Sequence, residues 1–376
     1  MKLLIAGDYC PQGRVSSYIE TGKYDALFSQ IKEEICKVDY SIVNLEAPIK
    51  SDDDIPIIKA GPSLGCSDKV VDSIRYMDFK ACTLANNHFR DFGSSAVNKT
   101  IECLKKAGVV PIGAGFLKDA QKVSYISIEG KNIGIVNVCE EEFSIATDEY
   151  PGSAPLRPID NYYQINEARE KADFVIVIVH SGHEYYQLPS PSMKKNYRWF
   201  VDLGADAVIN HHQHCFSGYE IYKGKPIFYG LGNFCFDWEG KRNGTWNQGY
   251  MVQLTFETDN ISFKLIPYVQ NDEKPGVRLM NELEQKKFDE DIAGLNSIID
   301  DEDTLRLKHQ EYIDRNKSLF KDLISPYNNR ITLALCRRKI LPLITYKPKL
   351  ARLLDAFRCR ANGEVFISML EDELYK

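Results

Sequence analysis

No stretch of the chain approaches the roughly 20 consecutive apolar residues that a membrane-crossing helix needs. No two cysteines form a Cys-x-x-Cys pair. The ten cysteines are scattered from Cys10 to Cys359, several inside apolar runs as at Cys82 and Cys235, and they read as buried thiols of a reducing compartment rather than as a disulfide framework. Excess positive charge is missing too. With 47 Lys and Arg against 53 Asp and Glu the formal net charge is -6, which gives no global basic field, so nucleic acid is not expected as the main partner. An anionic substrate then requires local cations or a metal. The segment Met1 to Asp8 has no basic leader, no long apolar core and no small-residue cleavage pattern, and it reaches a turn residue at Gly7. It reads as a first strand, and a cytoplasmic protein is expected. There is no internal repeat and no low-complexity tract.

What the chain has is enough apolar material, 44% of 376 residues, to bury a full core in one large domain with an appendage. Short apolar runs ending in polar or glycine residues recur at 3–6, 41–45, 81–85, 174–179 and 207–209. Segments of helical spacing lie between them, at 25–37, 68–77, 94–107, 161–172 and 192–203. That alternation predicts βαβ units. A second kind of strand, expected to be antiparallel, occurs at 122–129 with 132–138 across Glu129-Gly130-Lys131, and again at 218–229 and 249–268. The predicted fold class is α/β, as a mixed sheet or two facing sheets with helices outside. Beyond about residue 270 glycine thins and charges take helical spacing. This predicts a main domain over 1–270 and a helical C-terminal extension over 271–376. Within the extension, residues 330–360 carry nine Lys or Arg against one acid, Asp355, interleaved with Leu, Ile, Tyr and Phe. The stretch reads either as a solvated or packed helix face, or as a peripheral contact for a membrane, a synthase complex or another anionic partner.

The chemistry concentrates elsewhere. Six of the seven histidines lie between 88 and 214, each just after a predicted strand. In α/β sheets the groups that bind and react gather at the carboxyl ends of strands, so Asp8, Glu46, Asn87, His180 and the 210–214 loop are expected to converge on one rim. Carboxylate, amide oxygen and imidazole are together a ligand set for divalent zinc, manganese or iron, and a carboxylate suits a position between two ions. His212-Gln213-His214 reads as an extended segment with both imidazoles on one side, gripping one metal or one each of two.

Asn44-Leu45-Glu46, Leu84-Ala85-Asn86-Asn87-His88-x-x-Asp91-x-Gly93, Gly113-Ala114-Gly115, His180-x-Gly182-x-Glu184-Tyr185, Gly204-Ala205-Asp206 through His212-x-His214, and Gly224-Lys225-Pro226-Ile227 with Gly232-Asn233-Phe234 occur in this order. Together they resemble the CapA family, named for poly-gamma-glutamate capsule synthesis, whose fold belongs to the metal-dependent phosphatase superfamily. The resemblance covers roughly residues 2–270. It implies an α/β/β/α sandwich, two divalent metal ions (Mn, Zn or Fe), and hydrolysis of a phosphoester or amide bond in an anionic polymer or a phosphorylated or peptide substrate. It implies Asp8 as first-strand ligand, Glu46 in the place of a bridging aspartate, Asn87 as ligand amide, and His180, His212 and His214 as imidazole ligands. His88 would face the substrate, with Asp91 orienting it. Arg14, Lys59, Glu184, Tyr185 and Asn233 are candidates for substrate contact, with Tyr186 as a further wall; Arg14 and Lys59 are equally open to a solvated or structural role. His183 is expected at the rim, His211 buried in support, and His309 without a role.

The sequence also departs from the pattern. Where the superfamily has Asp-x-His, this chain reads Asp8-Tyr9-Cys10, so one metal site is short of a ligand or Cys10 contributes. Ser181, Asn210 and Gln213 replace family residues, which alters pocket walls more than ligands. A non-catalytic assembly factor that binds polymer or a synthase partner is the alternative to the hydrolase.

Overall fold

A computed structural model of the chain describes residues 1–257, 260–317, 330–338, 340–341 and 347–375. In the first sheet β16 (Val277–Leu279), β15 (Ile261–Gln270), β14 (Gln248–Phe256), β1 (Lys2–Cys10), β2 (Tyr40–Leu45), β3 (Ala81–Thr83) and β4 (Val110–Ile112) follow one another, and β13 (Asn233–Phe236) also pairs with β1. The second sheet has the order β11 (Tyr219–Tyr222), β12 (Lys225–Phe228), β10 (Ala207–His211), β9 (Phe174–His180), β7 (Lys131–Cys139), β6 (Ser124–Ile128). A small ribbon joins β5 (Ala114–Gly115) to β8 (Gly152–Ser153).

The strands are apolar on both faces because both faces are covered. Leu3, Ile5 and Ile42 of the first sheet share one core with Ile133, Ile135, Ile176, Ile178 and Ile209 of the second. The alternate residues Leu4, Ala6, Val43 and Cys82 pack outward under α1 (Arg14–Glu20), α2 (Tyr24–Ile35), α3 (Lys69–Tyr76) and α4 (Gly93–Lys106), which contribute Val15, Phe28, Ile74 and Val97. On the far side Val136, Val177 and Val208 meet Ala120 of α5 (Leu117–Ala120), Ile165 of α6 (Pro158–Lys171) and Phe200 of α7 (Pro191–Asp202). The result is the expected α/β/β/α sandwich.

Helix α8 (Glu282–Asp300) opens on a capping box in which Asn281 Oδ1 accepts from Glu284 N at 3.0 Å and Glu284 Oε2 accepts from Asn281 N at 2.9 Å. It places Phe288 and Ile292 in the core between the sheets. After α9 (Glu302–Asn316) come α10 (Arg330–Arg337), α11 (Lys347–Arg358) and α12 (Arg360–Tyr375). The chain divides into two units, Met1–Leu305 and Arg306–Lys376. The basic stretch 330–360 falls in the second and lies partly outside the described residues. No helix among the described residues is long and apolar enough to cross a membrane. Cys10, Cys66, Cys82, Cys139, Cys215 and Cys235 are free and buried, as the scatter of cysteines suggested.

Candidate metal centre

The centre begins with a change of partner along β1. Lys2 to Ile5 pair antiparallel with β14, whereas Asp8 to Cys10 pair parallel with β13. The switch passes through Gly7, where a Cβ would come within 1.9 Å of the Gly232 carbonyl oxygen, so only glycine fits. The register slips on both sides of Asp8, against β2 and against β13. Such bulges re-aim side chains, and this one delivers Asp8 to the rim.

Glu46 follows β2, Asn87 and His88 follow β3, His180 ends β9, and His211, His212 and His214 end or follow β10. All seven are buried, as is Asp8. Around His180 Nε2 lie Asn87 Oδ1 at 3.1 Å, His212 Nδ1 at 3.1 Å and Glu46 Oε1 at 3.5 Å. At the same carboxylate oxygen, His214 Nε2 is 3.6 Å from Glu46 Oε1, and His214 Nδ1 is 3.6 Å from Asp8 Oδ2. Two groups of closely spaced donors result, Glu46 with His180 and His212, and Asp8 with Glu46 and His214, with Glu46 common to both. Four ligands held at about 2.1 Å around one tetrahedral ion stand about 3.4 Å from one another, which is the spacing around His180 Nε2.

The electrostatics of the donors suit a cation. Glu46 is fully buried and neither carboxylate oxygen has a hydrogen-bond partner. Burial, then the charges of Asp8, Glu184 and Asp91, push its carboxyl well above the usual range. Burial likewise lowers His180 well below the ordinary imidazole value, with the neighbouring His212 adding to the effect, and brings His212 to about 4. His214 is also lowered, again mainly by burial. Neutral imidazoles keep the lone pairs that metal binding requires, and a cation would let Glu46 ionise. Asp8 is held below the carboxylate range. Burial raises it, but the hydrogen bond with His211 and the neighbouring imidazoles outweigh that.

His212 and His214 do not lie in an extended segment. Their φ angles are +88° and +54°, in the left-handed region that non-glycine residues rarely occupy. The turn separates the rings, 6.1 Å between centroids, so each imidazole serves a different group. Of the two arrangements the sequence left open, the geometry has one ring in each donor group.

The surroundings sort the other candidates. Asp91 Oδ2 lies 2.7 Å from His88 Nδ1 and accepts from Leu64 N, and its Oδ1 is 2.5 Å from Lys59 Nζ. Lys59, itself 4% exposed, is thus the counter-ion of Asp91. Arg14 gives its donors to Asp237 and to the carbonyls of Asn271, Asp272 and Glu273. Asn233 is fully buried against His214. Glu184 and Tyr185 are exposed; Tyr185 has φ +62° and stands 5.8 Å from Trp246 and 6.3 Å from His214 between ring centroids. Cys10 is buried in the helix-side core and is in neither donor group.

Two supporting residues carry no ligand role in the sequence reading. Asn44 Nδ2 donates to Asp8 Oδ1 at 2.7 Å, and His211 Nδ1 lies 3.2 Å from the same oxygen. Asn44 was legible in principle, because it shares a strand face with Glu46 two residues on. Trp246, 4.9 Å from the His214 ring, arrives from a distant loop with no local signal.

Residues 2–238 match the family model described as bacterial capsule synthesis protein PGA_cap. The capsule biosynthesis protein CapA of Bacillus anthracis is 30% identical over 246 residues, which are 63% of this chain and 60% of that one. The PGA biosynthesis protein CapA of Bacillus subtilis (strain 168) is 31% identical over 236 residues, 61% of this chain and 62% of that one. The chain therefore spans about 60% of the length of these relatives. A solved structure of a novel phosphatase from Mycoplasma pneumoniae aligns with a TM-score of 0.46 at 14% identity, over 73% of this chain and 95% of that one. By the extent of the match and the order of its motifs, the chain belongs to the bacterial capsule synthesis protein family PGA_cap.

Proposed function

We propose that this chain is a binuclear metal-dependent hydrolase serving capsule or poly-gamma-glutamate synthesis, and that it cleaves a phosphoester or amide bond of an anionic polymer or its precursor. One observation carries the reading: a fully buried carboxylate, Glu46, with both oxygens unpartnered, is shared by two sets of neutral imidazole and carboxylate donors. A charge so placed is costly unless cations neutralise it. Glu46, Asn87, His180 and His212 would hold one ion, and Asp8, Glu46 and His214 the other.

Two divalent cations supply a lowered pKa for water and polarisation of the bond to be cut. The residues of the chain supply the rest. Asp91 Oδ2 accepts a hydrogen bond from His88 Nδ1–H, and in its doubly protonated form His88 would give the Nε2 proton to the leaving group, returning to the neutral imidazole with Nδ1–H still held by Asp91. Lys59 neutralises Asp91, so the pair presents no net negative charge to an anionic substrate. Tyr185 and Glu184 border the entrance, and the basic stretch 330–360 offers a contact for an anionic surface or a synthase partner. The relatives' names, in capsule and PGA biosynthesis, support the biological setting.

The test is elemental analysis of the purified protein together with assay on phosphodiesters, phosphomonoesters and γ-glutamyl peptides in manganese. The proposal expects bound metal and turnover of one class, both lost in His180→Ala and His212→Ala. Full metal content and unchanged turnover in both variants would exclude it. The second reading, a non-catalytic assembly factor, is favoured by one feature, the buried Cys10 where a further ligand is expected. Bound metal with no turnover of any of these substrates would move the assignment to that role.

A further inference from the structure

We infer that the two cation positions are unequal: the one at Asn87, Glu46, His180 and His212 is tight, and the one at Asp8, Glu46 and His214 is weak and exchangeable, held in readiness by Asn233. The inference rests on the metal-centre reading and concerns how that centre is loaded and regulated.

The first position has four protein donors: Asn87 Oδ1, His212 Nδ1 and Glu46 Oε1 all lie within 3.5 Å of the fourth, His180 Nε2. The second, among the described residues, has three, because Cys10 is packed into the helix-side core rather than added to the group. The needs of the two carboxylates differ as well. Glu46 has no hydrogen-bond partner and gains most from the first ion that arrives. Asp8 is already served: Oδ1 accepts from Asn44 Nδ2 at 2.7 Å and lies 3.2 Å from His211 Nδ1, and Oδ2 accepts from His212 N at 3.3 Å. Once one ion has neutralised Glu46, a second meets a carboxylate whose charge is spent, a like charge across it, and an Asp8 that is satisfied without it. Each of these lowers the affinity of the second step.

Asn233 keeps the weak position available. Its Nδ2 donates to the carbonyl oxygens of His214 and Trp246, both at 3.2 Å, and that fixes the amide so that Oδ1 can only face His214 Nδ1, at 2.9 Å. An oxygen there requires the proton on Nδ1, which leaves the Nε2 lone pair directed at Glu46 Oε1. Asn233 is therefore a positioning residue for the third ligand, not a substrate contact. The chain's activity would follow free metal concentration through this one site.

The experiment is titration of the chelator-stripped full chain with Mn(II), following bound ion by equilibrium dialysis and elemental analysis. The expected result is two steps of one ion each, with dissociation constants roughly tenfold or more apart. Asn233→Leu should weaken the second step alone by about 10- to 100-fold, and Asn233→Asp, which keeps an acceptor at that place, should restore it. Two ions bound with equal affinity, or an Asn233→Leu variant that weakens both steps alike while Asn233→Asp does not rescue, would overturn the inference and leave the metal centre standing. No bound ion at all would overturn the metal centre and the inference with it.

Discussion

His88 is proposed to deliver a proton without holding a metal. His88 touches Asp91 and Lys59 but belongs to neither donor group, so His88→Asn should lower kcat by about 10²- to 10⁴-fold while the bound metal stays unchanged. Elemental analysis beside steady-state kinetics decides this, and loss of metal in that variant would make His88 a ligand. The acid–base behaviour of the metal-free protein follows from the same burial. His180, His212 and His214 lie below the ordinary value of 6.5, so the unfolded chain takes up their protons first and stability falls as pH drops through that value. For His212, at about 4, the loss amounts to about 3 kcal/mol across the window. Glu46 acts in the opposite sense. Its folded carboxyl is raised above 4.5, so its contribution is present at low pH and is lost as pH rises towards its folded value. Three imidazoles outweigh one carboxyl on the acid side. The melting temperature of chelator-stripped protein should therefore fall as pH drops from 6.5 to 4, and a melting temperature that stays flat or rises on that descent would contradict the buried, neutral imidazoles.

At the scale of elements, the site depends on β1 changing partner at Gly7. Gly7→Ala drives a methyl group against the Gly232 carbonyl oxygen, which must separate β13 from β1 and move Asp8. Overpacking of this kind costs about 1–3 kcal/mol, and urea unfolding should show that loss together with a loss of the weaker metal step. An unaltered midpoint would mean the close approach is not a constraint. The elements themselves were legible from period and composition. The runs at 3–6, 41–45 and 174–179 are strands, and the helical segments at 25–37, 68–77, 94–107 and 192–203 match α2, α3, α4 and α7 to within two residues at either end. Short pieces without a period, β13 and α1, escaped because their pairing and packing are tertiary. The convergence of Asp8, Glu46, Asn87, His180, His212 and His214 was legible because each comes just after an apolar run in the sequence. The geometry of 212–214 was not, since positive φ at two histidines is imposed by the fold and leaves no trace in local propensity. Arg14, Lys59 and Asn233 show the same limit. A lone cation or amide near a motif does not reveal that Asp237, Asp91 or His214 already holds it.

For the whole molecule, charge is divided sharply along the chain. Residues 330–360 hold nine Lys or Arg and one acid in a protein of net charge -6. Ile331 and Phe357, 74% and 77% exposed, stand among these cations. The full chain should co-sediment with vesicles containing phosphatidylglycerol and not with phosphatidylcholine alone. The triple substitution Lys347→Glu, Lys349→Glu, Arg352→Glu should weaken that binding by roughly 100-fold or more, at about 1 kcal/mol per cation lost. Equal binding by the variant would assign the stretch to a solvated helix face. The proposed chemistry turns on whether two cations meet over Glu46. A crystal of the manganese-loaded chain, recorded at the manganese absorption edge, tests that directly. The account predicts two anomalous peaks flanking the Glu46 carboxylate, the stronger beside His180 and His212 and the weaker beside His214; peaks elsewhere in the molecule, or none at these imidazoles, would contradict it.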